Sequence, residues 1–330
     1  MNLTQQSKHQ WQYKMSKILL TGGLGFIGHT IVRKLEDTEH TPIIVDNKSD
    51  YDGAIDRVEL EALMKERQSL FKTDVTTYFE DIVNAEALDK IIEIQKPDTI
   101  IHLAAFPRAK VVIQNPQLGC DVILKGLLNL LESCKKHNVK RFVFISSSMI
   151  YGDFDQDNNP ETASTNPIEP YGIMKLCAEN LVRNYNRLYG LEYSIVRPSA
   201  VYGPYDVVDR VLSKFIVKAK ADETMSINGE GLALDFSYVD DVADGMILCA
   251  THPKAANETF NITRSIARTL VDAGNIIIKE TNSNSELIVS ENDGKYPKRG
   301  ALDISKARDL LGFNPTVNIE EGLKQYIDSL

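Results

Sequence analysis

A tyrosine and a lysine stand four residues apart in the segment EPYGIMKLCAE, residues 169–179. On a helix, positions i and i+4 lie on one face, one turn apart, so the side chains of Tyr171 and Lys175 can meet. A free phenol has a pKa of about 10 and is a weak base at neutral pH, whereas a nearby ammonium group lowers that pKa. Such a pair could take a proton from a substrate hydroxyl and return it. Many ordinary helices also contain this spacing, so other parts of the chain must decide between the two interpretations.

A glycine-rich segment near the start of the chain could hold a phosphate group. TGGLGFIG, residues 21–28, follows a strand-like run and opens a helical one. The first glycine allows a tight turn, the second lets the backbone approach a pyrophosphate, and the third allows close packing of helix and strand. The helix then directs its first N–H groups at the phosphates. The residues predicted to contact a dinucleotide here are Gly22, Gly25, Phe26, Ile27 and Gly28.

An acidic residue ends the second strand-like run, TPIIVDN, residues 41–47. Asp46 lies 21 residues after Gly25, close to the spacing of about 20 expected for a carboxylate that bonds the ribose 2′-hydroxyl. A carboxylate there repels the 2′-phosphate of NADP, so the pattern favours NAD, with Asn47 beside it in the same site. The alternative is that Asp46 merely caps the end of a strand, which the preceding glycines disfavour.

The elements that must position these residues alternate regularly from residue 17 onward. Short apolar runs rich in β-branched residues are separated by longer helical patterns, which predicts a parallel sheet covered on both faces. This is a doubly wound α/β fold of the Rossmann type. The predicted strands are KILLTGG, TPIIVDN, LFKTDV, PDTIIHLAA, KRFVFISSS and YSIVRPS.

The rhythm of the pattern changes after about residue 197, where short strands, loops and helices mix less regularly. We therefore predict a Rossmann domain over residues 17–196, with 232–250 contributing, and a smaller mixed α/β substrate domain over 197–330. The first 16 residues are polar and lack the apolar core of a secretory signal, which predicts a flexible extension over 1–16.

Composition narrows the class of protein. Hydrophobic residues make up 43% and charged residues 25% of the 330-residue chain, as in a soluble globular enzyme. A net charge of −9 argues against a nucleic acid or an anionic membrane as partner, and no apolar run reaches the ~20 residues that span a bilayer. The four cysteines are widely spaced, which predicts neither a metal site nor a disulfide framework and favours a cytoplasmic protein.

The glycine spacing, together with Tyr171 and Lys175, resembles the extended short-chain dehydrogenase/reductase family. Within it, the chain is most similar to the NAD-dependent nucleotide-sugar epimerases and dehydratases, of the UDP-glucose 4-epimerase type. The resemblance extends from residue 17 over nearly the whole chain. Further matching stretches, in family order, are DV at 74–75, HLAA at 102–105, ISSSMIYG at 145–152, RPSAVYGP at 197–204, DFSYVDDVADG at 235–245 and DISKARDLLGFNP at 303–315.

The resemblance implies a role for each matching position. Ser147 matches the catalytic Ser/Thr, Tyr171 the general base, and Lys175 the residue that tunes this base and binds the nicotinamide ribose. Tyr171 would remove a proton from a sugar hydroxyl while a hydride moves to NAD; the keto-sugar would then rotate and take the hydride back on its other face. Further NAD contacts implied by the resemblance are Asp74 and Val75 beside the adenine, Leu103, Ala104 and Ala105 along the cleft, and Pro198 near the nicotinamide.

Several positions depart from the family pattern. The acid pair with which the dehydratases protonate and deprotonate the sugar is replaced by Ser148 and Met149, which disfavours water elimination. An asparagine and an arginine that commonly contact the substrate are Ala200 and Leu234, so that either other basic residues replace them or the substrate is unusual. The candidate substrate contacts are Arg108, Ser148, Ala200, Arg210 and Arg299, the last at a second phosphate-binding position of the family.

Three functions remain open from the sequence. The first is an isomerase, an NAD-dependent epimerase of a nucleotide sugar of the UDP-hexose 4-epimerase type. The second is a sugar or alcohol dehydrogenase or reductase that releases reduced cofactor, and the third is a non-catalytic NAD-binding regulator. The intact set of Ser147, Tyr171 and Lys175 argues against the third. Two long helices near 119–137 and 171–189 match those that form a homodimer in the family, which predicts a homodimer by analogy.

Overall fold

The computed structural model describes residues 15–50, 53–106, 109–229, 231–291 and 297–330. Nearly all of the predicted extension over 1–16 lies outside these ranges, as does the candidate substrate contact Arg108. In the part of the chain that is described, no helix is long and apolar enough to cross a membrane.

Strands and helices alternate through the first part of the chain, as the sequence pattern predicts. The strands are β1 Lys17–Thr21, β2 Thr41–Val45, β3 Thr77–Tyr78, β4 Thr99–His102, β5 Arg141–Ile145, β6 Asn158–Asn159, β7 Glu192–Arg197, β8 Val201–Tyr202, β9 Met225–Asn228, β10 Ala233–Asp235, β11 Ser237–Tyr238, β12 Glu258–Asn261, β13 Ala267–Thr269, β14 Leu287–Ser290 and β15 Ala301–Leu302.

The α-helices of the first half cover the faces of the central sheet, and two further helices lie at the end of the described chain. They are α1 Phe26–Leu35, α2 Arg57–Ser69, α3 Ala85–Gln95, α4 Ala109–Gln114, α5 Pro116–Cys120, α6 Gly126–His137, α7 Pro170–Tyr189, α8 Val211–Lys220, α9 Val239–Thr251, α10 Leu270–Thr281, α11 Ser305–Leu311 and α12 Ile319–Ser329. A π-helical turn, Asp121–Lys125, joins α5 to α6, and short 3₁₀ turns occur at Ser148–Tyr151 and Pro253–Ala255.

Seven strands form one parallel sheet in the order β12-β7-β5-β4-β1-β2-β3. The chain winds outward from β1 in both directions, so that the order reverses between β1 and β4. An open parallel sheet binds its ligands outside the carboxyl ends of its strands at such a reversal. The doubly wound fold predicted from the sequence is confirmed.

The third strand lies later in the chain than predicted. LFKTDV was predicted as a strand, but β3 is the two-residue strand Thr77–Tyr78. The backbone N–H groups of Lys72 and Thr73 instead donate to the carboxylate of Glu36, 3.0 and 2.8 Å away. This segment is therefore a loop that is hydrogen-bonded to the end of α1. Because β3 lies later in the chain than predicted, the residues that follow the strand are also later ones.

Two elements from the second half of the chain complete the sheet layer. Helix α9 packs against α1, and its residues Val242 and Met246 join a buried cluster with Ile18 and Leu20 of β1. Strand β12 pairs in parallel with β7 as the seventh strand. A separate core, between α8, α10, α12 and the small strands, includes Phe215, Ile277 and Tyr326. The domain boundary at residue 197 stays a prediction. Strand β12 belongs to the central sheet, although the predicted Rossmann domain did not include its residues.

Candidate active site

A cavity of about 1060 Å³ opens along the carboxyl ends of the sheet strands. Its far wall is formed by the segment that follows β7 and by part of the smaller core. Most of the predicted site residues line this cavity together. They are Gly22, Gly25, Phe26, Ile27, Gly28, Asp46, Asn47, Leu103, Ala104, Ala105, Ser147, Ser148, Tyr171, Lys175, Pro198, Ala200, Arg210 and Arg299.

The glycine loop has the geometry that a bound pyrophosphate requires. Gly22 has a φ of +74°, which favours glycine. A Cβ atom on Gly28 would lie 2.2 Å from the carbonyl oxygen of Gly22, so a larger residue would push the loop away from α1. Helix α1 begins at Phe26 with its N-terminus at the cavity, where the N–H groups of its first turn have no partner within the helix. These features fit the phosphates of NAD.

Asp46 lies at the end of β2 and also fixes the glycine loop. Its buried carboxylate accepts hydrogen bonds from the N–H groups of Leu24 and Lys48, at 3.0 and 2.8 Å. Burial raises the pKa of this carboxyl group, an effect that the two backbone donors oppose. The carboxylate therefore lines the cavity beside the loop, as the NAD interpretation requires.

The predicted adenine contacts are displaced by the shift of β3. Asp74 and Val75 do not line the cavity, because they lie in the loop before β3. Asp81 and Ile82, which follow β3, line it instead, and the Asp81 carboxylate accepts a 2.8 Å hydrogen bond from the Asn47 amide.

Helix α7 presents the tyrosine and the lysine to the cavity. Its start is fixed by Glu169, whose carboxylate accepts from the N–H groups of Tyr171 and Gly172, at 2.8 and 2.7 Å. Pro170 occupies the first helical position, where its missing N–H costs no hydrogen bond. Tyr171 is therefore in the first turn, and Lys175 follows one turn later on the same face.

Ser147, Tyr171 and Lys175 line the cavity together. Burial raises the pKa of Tyr171 to about 12, although the nearby Ser147 hydroxyl and the charge of Arg210 oppose the increase. Burial lowers the pKa of Lys175 to about 7. Its ammonium group donates to the Ile145 carbonyl at 2.6 Å and lies 5.8 Å from the Tyr171 ring centroid. Lys175 is not among the groups that lower the pKa of Tyr171 here, in contrast to the predicted effect of the lysine.

A buried polar network lies behind the catalytic set, which the sequence analysis missed. The Glu179 carboxylate, one turn after Lys175, accepts from Arg197 Nε and Nη2 at 3.0 and 2.8 Å and from the Ser146 hydroxyl at 2.6 Å. Arg197 Nη1 also donates to the Tyr151 hydroxyl at 2.8 Å. Glu179 thereby connects the helix that carries Lys175 to the ends of β5 and β7.

Arg299 enters the cavity from the segment before β15. Its Nη2 donates to the hydroxyls of Ser148 and Ser199, at 3.0 and 2.9 Å, and its Nη1 lies 3.2 Å from the Met149 sulfur. Burial lowers the pKa of this guanidinium to about 10, which the charge of Asp235 partly opposes. Arg299 therefore places a positive charge beside the segment that carries the catalytic serine.

Three further polar groups, His102, Asp240 and Asp241, have structural partners. His102 is buried, and its Nδ1 lies 2.7 Å from the Thr21 hydroxyl. Asp240 pairs with Arg33, and Asp241 accepts from backbone N–H groups after α11. Among the described residues, no three His, Cys, Asp or Glu side chains are grouped as metal ligands.

A doubly wound sheet with a glycine loop, an acid after its second strand and a Ser/Tyr/Lys set defines an enzyme of the extended short-chain dehydrogenase/reductase class. The family model described as the NAD dependent epimerase/dehydratase family matches residues 18–263. The chain belongs to this family.

Similar proteins align with almost the whole chain. The UDP-glucuronate 4-epimerase of Thermodesulfobacterium geofontis is 33% identical, over 95% of this chain and 96% of its own. A putative UDP-glucose 4-epimerase of Methanocaldococcus jannaschii is 32% identical, over 94% and 97%. The solved structure of a UDP-glucuronic acid 4-epimerase from Bacillus cereus, in complex with UDP-glucuronic acid and NAD, superposes with a TM-score of 0.86 at 28% identity, covering 95% and 98%.

Proposed function

We propose that this protein is an NAD-dependent 4-epimerase of a UDP-linked sugar. The observation that carries the proposal is the meeting of Ser147, Tyr171 and Lys175 with the glycine loop in a single cavity. The similarity to named UDP-sugar 4-epimerases over the whole chain supports it. Ser148 and Met149 favour epimerisation over dehydration, since neither side chain can act as the acid or base of water elimination.

NAD would be held at the adenosine end by Asp46 and the Asp81–Ile82 pair, and at the pyrophosphate by the glycine loop. At the other end, Lys175 and Pro198 line the cavity near the reacting centre. The chemistry supplied by NAD at this site would be reversible hydride transfer with the sugar carbon, without net oxidation of the sugar.

Side chains of the protein transfer the proton of the sugar hydroxyl. The Tyr171 hydroxyl, once deprotonated, accepts the proton of the sugar 4-hydroxyl and later returns it. Ser147, which lines the cavity together with Tyr171, holds the sugar oxygen as it becomes a carbonyl. Lys175 in its ammonium form favours the phenolate, provided that its head group moves from the Ile145 carbonyl toward the tyrosine and the ribose.

We also propose that the enzyme is a cytoplasmic homodimer. Three apolar side chains on α6 and α7 support a dimer, because Leu128, Ile173 and Leu188 are 43%, 47% and 56% exposed. An association face on these helices would cover them. Light scattering on the purified protein measures the molecular mass, and a monomer at micromolar concentration would contradict this part of the proposal.

Proton NMR of the purified protein with UDP-sugars in heavy water tests the function. We expect the 4-epimer to form without added NAD and without deuterium at carbon 4, because the hydride comes from the same sugar. Tyr171→Phe should retain NAD and lose turnover by about 10²-fold or more. Appearance of free NADH would instead identify a dehydrogenase, and deuterium at carbon 4 would contradict hydride return.

A further inference from the structure

We infer, on the basis of the proposed epimerase function, that the substrate is a nucleotide-linked uronic acid whose carboxylate is bound by Arg299 with Ser148 and Ser199. Named relatives include enzymes for both UDP-glucuronate and UDP-glucose, so their names do not decide between an acidic and a neutral sugar. The surroundings of Arg299 favour the acidic sugar.

The Arg299 guanidinium has only neutral partners. Two hydroxyls and one thioether contact its Nη atoms, and its buried Nε has no hydrogen-bond partner within the described residues. The described residues also offer no carboxylate within salt-bridge distance. Asp235, whose charge acts on Arg299 from farther away, accepts instead from the N–H groups of Ser265 and Leu302. A half-buried cation whose Nε is fully buried and which has no anion is costly to keep, which indicates that a ligand supplies the anion.

The position of the Arg299 guanidinium indicates which part of the ligand supplies the anion. Ser148 directly follows Ser147, and Ser199 directly follows Pro198, so Arg299 joins the two segments that flank the reacting centre. Ser147 and Tyr171 act at carbon 4 of the sugar. In a hexopyranose, carbon 6 is attached to carbon 5, the neighbour of carbon 4, whereas the diphosphate is attached across the ring at carbon 1. Carbon 3, the other neighbour of carbon 4, carries only a neutral hydroxyl, so a cation beside Ser147 suits a charged group at carbon 6.

The diphosphate has another set of contacts available in the same cavity. Arg210 caps the start of α8, and both Arg210 and the first helical residues line the cavity wall. A helix N-terminus with an arginine suits a phosphate. The positions at which the family resemblance implies phosphate contacts, Ala200 and Leu234, are apolar here. We thus assign Arg299 to the sugar, and not to the diphosphate that the family resemblance implies as its ligand.

A planar guanidinium matches a carboxylate in shape and charge, and it can donate two parallel hydrogen bonds. The hydroxyls of Ser148 and Ser199 can rotate to donate to the same carboxylate. A neutral hydroxymethyl group at carbon 6 would leave the cation uncompensated. We therefore expect the enzyme to prefer UDP-glucuronate over UDP-glucose by about 100-fold or more in kcat/KM.

The test compares both substrates with wild type, Arg299→Gln and Arg299→Lys, each loaded with NAD. Arg299→Gln should lose most of the turnover of UDP-glucuronate while that of UDP-glucose falls little or rises. Arg299→Lys keeps the charge but not the paired donors, so it should retain an intermediate preference. Arg187→Gln, which removes an exposed arginine of α7, is the matched control and should behave like wild type.

Titration calorimetry with UDP-glucuronate, UDP-glucose and UDP separates this inference from the proposed function. A preference for UDP-glucuronate that disappears in Arg299→Gln supports the inference even if no epimer forms, an outcome that would reject only the epimerase. An equal loss of affinity for all three ligands would assign Arg299 to the diphosphate and overturn the inference. A wild-type preference for UDP-glucose would overturn it as well. Circular dichroism of each variant verifies, independently of any ligand, that the variant is folded.

Discussion

Arg197 and Arg299 are two arginines near the reacting centre, the first buried and the second half-buried, and their surroundings differ in kind. Arg197 is 3% exposed and pairs through two nitrogens with the fully buried Glu179. Arg299 contacts hydroxyls and a thioether, with no carboxylate in reach among the described residues. Accordingly, the paired guanidinium has a raised pKa, and burial lowers the pKa of the other to about 10.

The difference separates a group that holds the fold from one that awaits a ligand. A buried charge with its partner removed is strongly destabilising, whereas an unpaired charge already costs stability in the resting protein. Proteins keep such a cost where function needs it. Arg197 and Glu179 fix the ends of β5 and β7 behind the site, and Arg299 meets the substrate in front of it.

Arg197→Met should give the largest effect on stability. It leaves Glu179 buried with only Arg183 and Ser146 as side-chain partners, and we expect the free energy of unfolding to fall by about 3 kcal/mol or more. Urea unfolding followed by circular dichroism measures the change. Arg183→Met is the matched control, since Arg183 bonds the same carboxylate but its side chain is 34% exposed, and it should cost about 1 kcal/mol or less. Equal losses in the two variants would remove the distinction between them.

Arg299→Met should behave in the opposite way. Replacing an unpaired guanidinium with an apolar side chain removes a desolvation cost, so the free energy of unfolding should stay unchanged or rise by about 1 kcal/mol. The same urea experiment measures this, and the loss of UDP-glucuronate binding shows that the residue mattered. A destabilisation as large as that of Arg197→Met would mean that Arg299 holds the fold and not a ligand.

The same contrast explains which features the sequence could predict. The glycine loop, Asp46 and the Tyr171/Lys175 pair depend on short spacings within one strand, loop or helix, and these spacings are visible in the chain. The position of β3 depends on bonds from Lys72 and Thr73 to Glu36, more than 30 residues earlier, which no local pattern encodes. A local pattern therefore points to Asp74 and Val75, whereas Asp81 and Ile82, which follow β3, line the cavity.

The two arginines were equally hard to interpret from the sequence. Arg299 meets Ser148 across 151 positions of sequence, so its contacts follow only from the fold. The spacing of Lys175 and Glu179, again four residues on one helix face, was the one local signal of the buried network. This spacing alone does not predict the network, because Glu179 belongs to none of the motifs to which a chemical role can be given from the sequence.

Glu179 also connects the stabilising region to the catalytic one, and its effect can be measured through pH. Its charge favours the ammonium form of Lys175 and opposes the burial that lowers the lysine pKa to about 7. In Glu179→Gln this support is lost and the pKa falls further. Because the ammonium form is the active one, activity disappears as pH rises through this pKa. The alkaline limb of the kcat/KM profile should therefore move to lower pH, by roughly half a unit.

Conservative variants separate this effect from a simple loss of packing. Glu179→Asp keeps the charge and should keep the alkaline limb near its wild-type position even if overall activity falls. Glu192→Gln removes a carboxylate that pairs with Arg141 at the opposite end of the sheet strands, and it should leave the profile unchanged. If Glu179→Asp and Glu179→Gln moved the limb equally, geometry rather than charge would link Glu179 to Lys175, and the network would serve the fold alone.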